Sequence, residues 1–144
     1  LRVLPLLPHA DYDQLLANSD LNLVRGEDSF VRAQWAGEAM LWHIYPQDEQ
    51  AHLIKLAAWQ QRVETVAAAA NTPMPASWGQ MLMAWNHPAK RSGNCQPEEW
   101  LRFFSALPEI RAALQSWRQH LLAQPDLATQ LMRFYADRVE SRPK

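Results

Sequence analysis

The sequence predicts an α/β domain: a short doubly wound sheet of three parallel strands within residues 1–46, followed by a helical half over residues 47–144. Three observations carry this. Short apolar runs at Leu1–Leu7, Leu21–Val24 and Ala39–Ile44 are separated by stretches with helical spacing. The middle run passes straight into Arg25-Gly26-Glu27-Asp28-Ser29, after which apolar residues recur at three and four, giving strand, turn, helix. Beyond Gln47 no run resembles a strand.

In order, the first strand ends at Pro8, and His9-Ala10-Asp11 leads into a helix with Tyr12, Leu15 and Leu16 on one face. Asn18-Ser19-Asp20 is its turn. Leu21–Val24 is a strand covered on both faces, and the helix after the turn should end at Gly37 in a left-handed conformation. A third strand follows over Ala39–Ile44. A long helix is expected from Asp48 or Glu49 to about Ala70, with Leu53, Leu56, Ala57 and Val63 as its buried stripe. Asn71-Thr72-Pro73-Met74-Pro75 breaks it, and a second helix spans Ala76–Trp85. His87 to Pro97, with Pro88, Gly93 and Asn94, reads as a loop. Pro97-Glu98-Glu99 opens the next helix, Leu107-Pro108 separates it from one over Glu109–Ala123, and Pro125-Asp126 precedes the last, Leu127–Ser141.

Composition excludes several functions. At 144 residues the chain is one domain, large enough to bury a core. A net charge of -1, with scattered Lys and Arg, marks no nucleic-acid surface. The single cysteine, Cys95, forms no internal disulfide and fits a reducing cytoplasm. No apolar run is long enough to cross a bilayer, and no basic start followed by an apolar core suggests a signal peptide, so no membrane partner is expected. The five histidines, 9, 43, 52, 87 and 120, form no ligand pair, so no metal is expected. Gly-rich dinucleotide and ATP loops are missing too. Because Leu1 begins as if inside a strand, the chain is expected to be a fragment of a larger protein.

The turn at Arg25–Ser29 is where chemistry concentrates. Asp28 or Ser29 is placed to cap the helix, whose first amides and positive dipole end then face the turn beside the Arg25 guanidinium. Amides, a hydroxyl and a guanidinium together suit a phosphate. The plainer reading is a surface cap, with Arg25 paired to Glu27 or Asp28 in solvent. Tyr12 is either a stacking partner for a base or a core residue of an amphipathic helix. Seven tryptophans, 35, 42, 59, 78, 85, 100 and 117, either line a partner groove or, as helical spacing beside Leu, Met and Phe favours, fill the core.

The string RGEDSFVRAQWAG, followed by Leu41-Trp42-His43-Ile44-Tyr45-Pro46-Gln47, resembles the signature of the bacterial protein-arginine rhamnosyltransferases that modify elongation factor P. Leu4-Pro5-Leu6-Leu7-Pro8 and Tyr12-Asp13-Gln14-Leu15-Leu16 also fall where that family has similar strings. The resemblance implies the donor-binding, carboxyl-terminal part of an inverting, metal-independent glycosyltransferase of the two-Rossmann-domain (GT-B) type. Its donor would be dTDP-β-L-rhamnose, its acceptor an arginine of elongation factor P, and its catalytic aspartates would lie in a preceding amino-terminal domain. It places Asp28 and Ser29 on the diphosphate, with Arg25 beside them, Glu27 as a residue important for turnover, and Tyr12 on the thymine. Leu6 stands where an aromatic is expected and His9 where glutamine is expected. A backbone contact to the base survives Leu6, and His9 retains a hydrogen-bonding ring. Two other readings remain: a helical interaction module that binds no nucleotide, and a nucleotide-sugar transferase with another donor or acceptor.

Overall fold

The computed structural model describes residues 1–86 and 96–140. In chain order these form α1 (His9–Ala17), β1 (Asn22–Arg25), α2 (Glu27–Ala36), β2 (Met40–His43), a 3-10 turn at Asp48–Gln50, α3 (Ala51–Ala69), α4 (Ala76–Asn86), α5 (Pro97–Ser105), α6 (Leu107–Leu122) and α7 (Leu127–Glu140).

The sheet has two strands among the described residues. β1 and β2 run parallel, with Asn22 opposite Met40 and Arg25 opposite His43, so β1–α2–β2 is one crossover unit. The expected first strand is not formed. Pro5 and Pro8 have no amide hydrogen to give a ladder, and Val3 and Leu6 are solvent-exposed rather than packed. The remaining strands lie within a residue of their expected positions; Met40, Leu41 and Trp42 of β2 are all buried, whereas β1 is covered on one face and not on both as expected, with Asn22 and Val24 buried but Leu23 and Arg25 exposed.

The outer edge of β2 is sealed by α4. Trp78 Nε1 donates to the Met40 carbonyl (2.9 Å), while Asn86 Oδ1 accepts from the Ile44 amide (2.9 Å) and Asn86 Nδ2 donates to the Trp42 carbonyl (2.8 Å). Side chains thus satisfy backbone groups that a third strand would otherwise take.

The helices pack around this unit: α2 against β1, α1 against α2, α4 against β2, and α6 against both α3 and α2. Leu56, Trp78, Phe103, Ile110 and Leu114 join the strand residues in one core. The buried stripe of α3 is His52, Leu56, Val63 and Ala67, whereas Ala57 is exposed and Leu53 half-buried. Leu56 and Val63 of the expected stripe are buried, whereas His52 and Ala67 take the places of Leu53 and Ala57; His52 can be buried because its ring accepts a hydrogen bond from the Gln47 amide (3.1 Å). Between α5 and α6 the chain turns at Ala106, and Pro108 lies in the first turn of α6 rather than between the helices. Pro97 opens α5 as expected, with the Gln96 amide donating to Glu99 (3.0 Å). The loop expected from His87, with Pro88, Gly93, Asn94 and Cys95, lies outside the described residues.

Tryptophan is mostly core here. Trp42, Trp78 and Trp117 are buried, Trp59, Trp85 and Trp100 half-buried, and Trp35 exposed. Among the described residues no helix is long and apolar enough to cross a membrane.

Candidate functional site

β1 delivers the chain to a turn that only glycine can make. Gly26 has φ +77°, and a Cβ there would lie 2.9 Å from the Tyr45 ring. Its carbonyl is held by the buried Trp42 indole N–H (3.1 Å). The turn is therefore tied to β2 on both sides, and the helix that follows starts at a fixed point.

α2 begins at Glu27, with Gly26 as its N-cap and no side-chain cap. Neither Asp28 nor Ser29 caps it, contrary to the sequence expectation, because the glycine turn starts the helix two or three residues earlier and puts both within the first turn. The first intrahelical bond is Phe30 N–H to the Gly26 carbonyl (3.3 Å). The amides of Glu27, Asp28 and Ser29 precede it and carry the positive end of the helix dipole. Phe30 anchors the helix by stacking on Trp42, ring centroids 3.7 Å apart. Gln34 anchors it further along, its Oε1 accepting from the indoles of Trp59 (3.0 Å) and Trp117 (2.8 Å). Gly37 ends it with φ 73°, as expected.

A cleft of about 660 Å³ opens beside this first turn, lined by Leu6, His9, Tyr12, Leu15, Asp28 and Ser29 together with Leu4, Pro5 and Leu7. Five of the sequence-predicted positions, Leu6, His9, Tyr12, Asp28 and Ser29, thus come together although they are up to 23 residues apart. Its walls combine apolar side chains and a tyrosine ring with Asp28 and Ser29 of the first turn of a helix. Such an arrangement accepts a planar ring and an anionic group on the same ligand.

Arg25 and Glu27 are placed differently. Arg25 lines a neighbouring cleft of about 420 Å³ with Leu23, Val24, His43 and Trp85, and its guanidinium lies over the Tyr45 ring, 5.1 Å from the centroid. It pairs with neither Glu27 nor Asp28; among the described residues it makes no ion pair. Glu27 is exposed and belongs to the walls of neither cleft.

The acid Asp28 is instead held by a residue that the sequence reading did not single out. Arg32, one turn along α2, donates from Nε to Asp28 Oδ2 (3.1 Å), from one terminal nitrogen to both oxygens of Asp13 (2.9 and 3.0 Å), and from the other to His9 Nδ1 (2.9 Å). The hydrogen bonds to Asp13, and next those to Asp28, raise the Arg32 pKa above its already high ordinary value. The i, i+4 spacing of Asp28 and Arg32 was the available signal. Tyr45 was missed for a different reason: nothing in local spacing connects it to Gly26. No three His, Cys, Asp or Glu side chains converge as metal ligands among the described residues.

Over residues 1–136 the chain matches the model of a family described as Elongation-Factor P (EF-P) rhamnosyltransferase EarP. It is 43% identical over 136 residues to a protein-arginine rhamnosyltransferase of Pseudomonas aeruginosa, covering 94% of this chain and 34% of that protein. To the Neisseria meningitidis protein of the same name it is 36% identical over 137 residues, covering 91% of this chain and 34% of that one. A solved structure reported as the structural basis for EarP-mediated arginine glycosylation of translation elongation factor EF-P aligns with a TM-score of 0.66 at 35% identity, over 92% of this chain and 39% of its own. The chain spans about a third of the length of the curated relatives it matches. Sequence and fold agree, and the chain belongs to the EarP family of elongation factor P rhamnosyltransferases.

Proposed function

We propose that this chain is the donor-binding part of an inverting glycosyltransferase that transfers rhamnose from dTDP-β-L-rhamnose to an arginine of elongation factor P, within a Rossmann-like, GT-B type domain. The observation that carries the reading is the single cleft that gathers Leu6, His9, Tyr12, Asp28 and Ser29 at the first turn of α2. In this reading Tyr12 and the backbone around Leu6 receive the thymine, with His9 hydrogen-bonding to it. Ser29 and the amides of α2 hold the diphosphate, and Arg25 approaches it from the neighbouring cleft. Departure of the nucleoside diphosphate builds negative charge on the phosphates, so donors fixed there stabilise the transition state beyond the ground state. Glu27, exposed beside the turn, is free to face the sugar hydroxyls or the incoming guanidinium, which as a cation is attracted to a carboxylate. The base that deprotonates that strongly basic guanidinium comes in this reading from the preceding domain of the family, in the cytoplasm, without a metal.

The interaction-module reading is disfavoured by the burial of Trp42, Trp78 and Trp117 and the packing of half-buried Trp59 and Trp100 against the same core, which leaves Trp35 as the one exposed tryptophan among the described residues. Calorimetric titration with dTDP-rhamnose and with UDP-glucose tests the proposal. Saturable binding of the dTDP compound, weakened about thirtyfold (on the order of 2 kcal/mol) in Arg25→Ala, is expected. Equal binding of both compounds would point to another donor, and no binding to a cooperatively folded chain would contradict the proposal.

A further inference from the structure

Arg32 is the one guanidinium among the described residues that bridges α1 and α2, and all three of its nitrogens are used: on Asp28, on Asp13 and on the His9 ring. Two consequences follow from this geometry. Asp28 lies in the cleft wall next to the helix amides, where its carboxylate alone would repel an anionic ligand; the guanidinium 3.1 Å away, shared with Asp13, offsets part of that charge. Arg32 has no lone pair to offer, so its bond to His9 Nδ1 requires that nitrogen to be the acceptor. The neutral ring must then carry its proton on Nε2.

Resting on the donor-cleft reading above, we propose that Arg32 is a positioning residue of the cleft, which offsets part of the Asp28 charge so that a diphosphate is tolerated and locks His9 as an Nε2–H donor that reads a carbonyl oxygen of the base. Glutamine, expected at position 9, presents both a donor and an acceptor and so matches either kind of base group. A locked histidine presents only a hydrogen. Position 9 of this chain is thereby matched to pyrimidines with carbonyl edges, and His9 offers nothing to a base amino group. The bridge has a third partner, Asp13, which accepts through both oxygens and fixes the guanidinium plane.

The test combines two readouts on the 144-residue chain. Long-range proton–nitrogen NMR of the histidine rings, at about pH 8 where an ordinary imidazole is neutral, reports the His9 tautomer without any ligand. Titration with dTDP and with thymidine reports the cleft. In the wild type the Nε2–H tautomer should be fixed. Arg32→Ala should average the two tautomers and weaken dTDP by about tenfold while weakening thymidine less, because only the diphosphate meets the uncovered Asp28 charge. Arg32→Lys restores a cation without the three-way fork, so it should recover part of the dTDP affinity but leave the tautomer averaged. A merely structural bridge would weaken both ligands alike, and that result overturns the proposal, as does an averaged tautomer in the wild type. Should Arg32→Ala fail to melt cooperatively, Arg32→Lys and the wild-type tautomer still decide. If dTDP binds and both variants bind it as the wild type does, this inference alone falls. If the folded wild type binds no dTDP, the donor-cleft reading falls, and this inference with it.

Discussion

Gly26 shows how much of the site hangs on single residues. Its φ of +77° and the 2.9 Å approach to Tyr45 leave no room for a side chain. Gly26→Ala should destabilise the chain by about 1–3 kcal/mol, measured by urea unfolding. Pairing it with Tyr45→Ala removes the collision but not the backbone strain, so only part of the loss should return. Gln34 is a second case: one oxygen serves two indoles, and Gln34→Ala leaves both N–H groups without it, an expected cost of about 2–4 kcal/mol on the same assay. At this scale the sequence picked out five residues that line one cleft, but not what they touch. Asp28 and Ser29 read as caps because such residues usually are. The glycine turn shifted the helix start, and Asp28 became the partner of Arg32 instead. Arg25 was placed beside the phosphate amides by sequence adjacency, yet an extended strand end points it over Tyr45.

Among the elements, those with strong local signals were readable and those whose state depends on distant partners were not. The helices broken by proline or glycine fall near their expected bounds, and β1 and β2 within one residue of theirs. Leu1–Leu7 is as apolar as either strand but stays unpaired, since strand formation needs a neighbour that local pattern does not supply. Asn86 could not be foreseen as the residue that closes the edge of β2 across 44 positions. Asn86→Leu should therefore cost about 3 kcal/mol or more, because buried Ile44 N–H and Trp42 C=O lose their partners. α7 is the opposite kind of element. Its Leu127, Leu131, Met132, Phe134 and Tyr135 are all exposed, so its helicity depends on local bonds, chiefly Asp126, which accepts from the Thr129 amide (3.0 Å) and hydroxyl (2.6 Å). Those bonds, the hydroxyl first, lower the Asp126 pKa from the usual 3.8. The sign follows: the cap contributes fully above 3.8 and is lost as pH falls through the lower folded-state value. Hydrogen exchange in the first turn of α7 should quicken in Asp126→Ala at neutral pH, and in the wild type only on strong acidification.

At the scale of the whole molecule, a two-stranded parallel unit is too small to be stable by itself, and here helices supply the missing cover. α4 seals one edge, while α3 and α6 hold α2 through Gln34, so the first turn of α2 is fixed relative to the sheet. That rigidity gives the cleft its shape: Leu6, His9 and Tyr12 come from the start of the chain, Asp28 and Ser29 from α2. The architecture and the position of the cleft were largely legible because strand–turn–helix is a local pattern. The Arg32 bridge was not, because it joins two helices through side chains 19 and 23 residues apart. Amide chemical-shift mapping of the chain during titration with dTDP-rhamnose decides whether this cleft holds the donor. Saturable shifts at the amides of Glu27, Asp28 and Ser29 and around His9 and Tyr12 are predicted. Shifts confined to other surfaces, or none in a folded chain, would contradict the assignment of this cleft as the donor site.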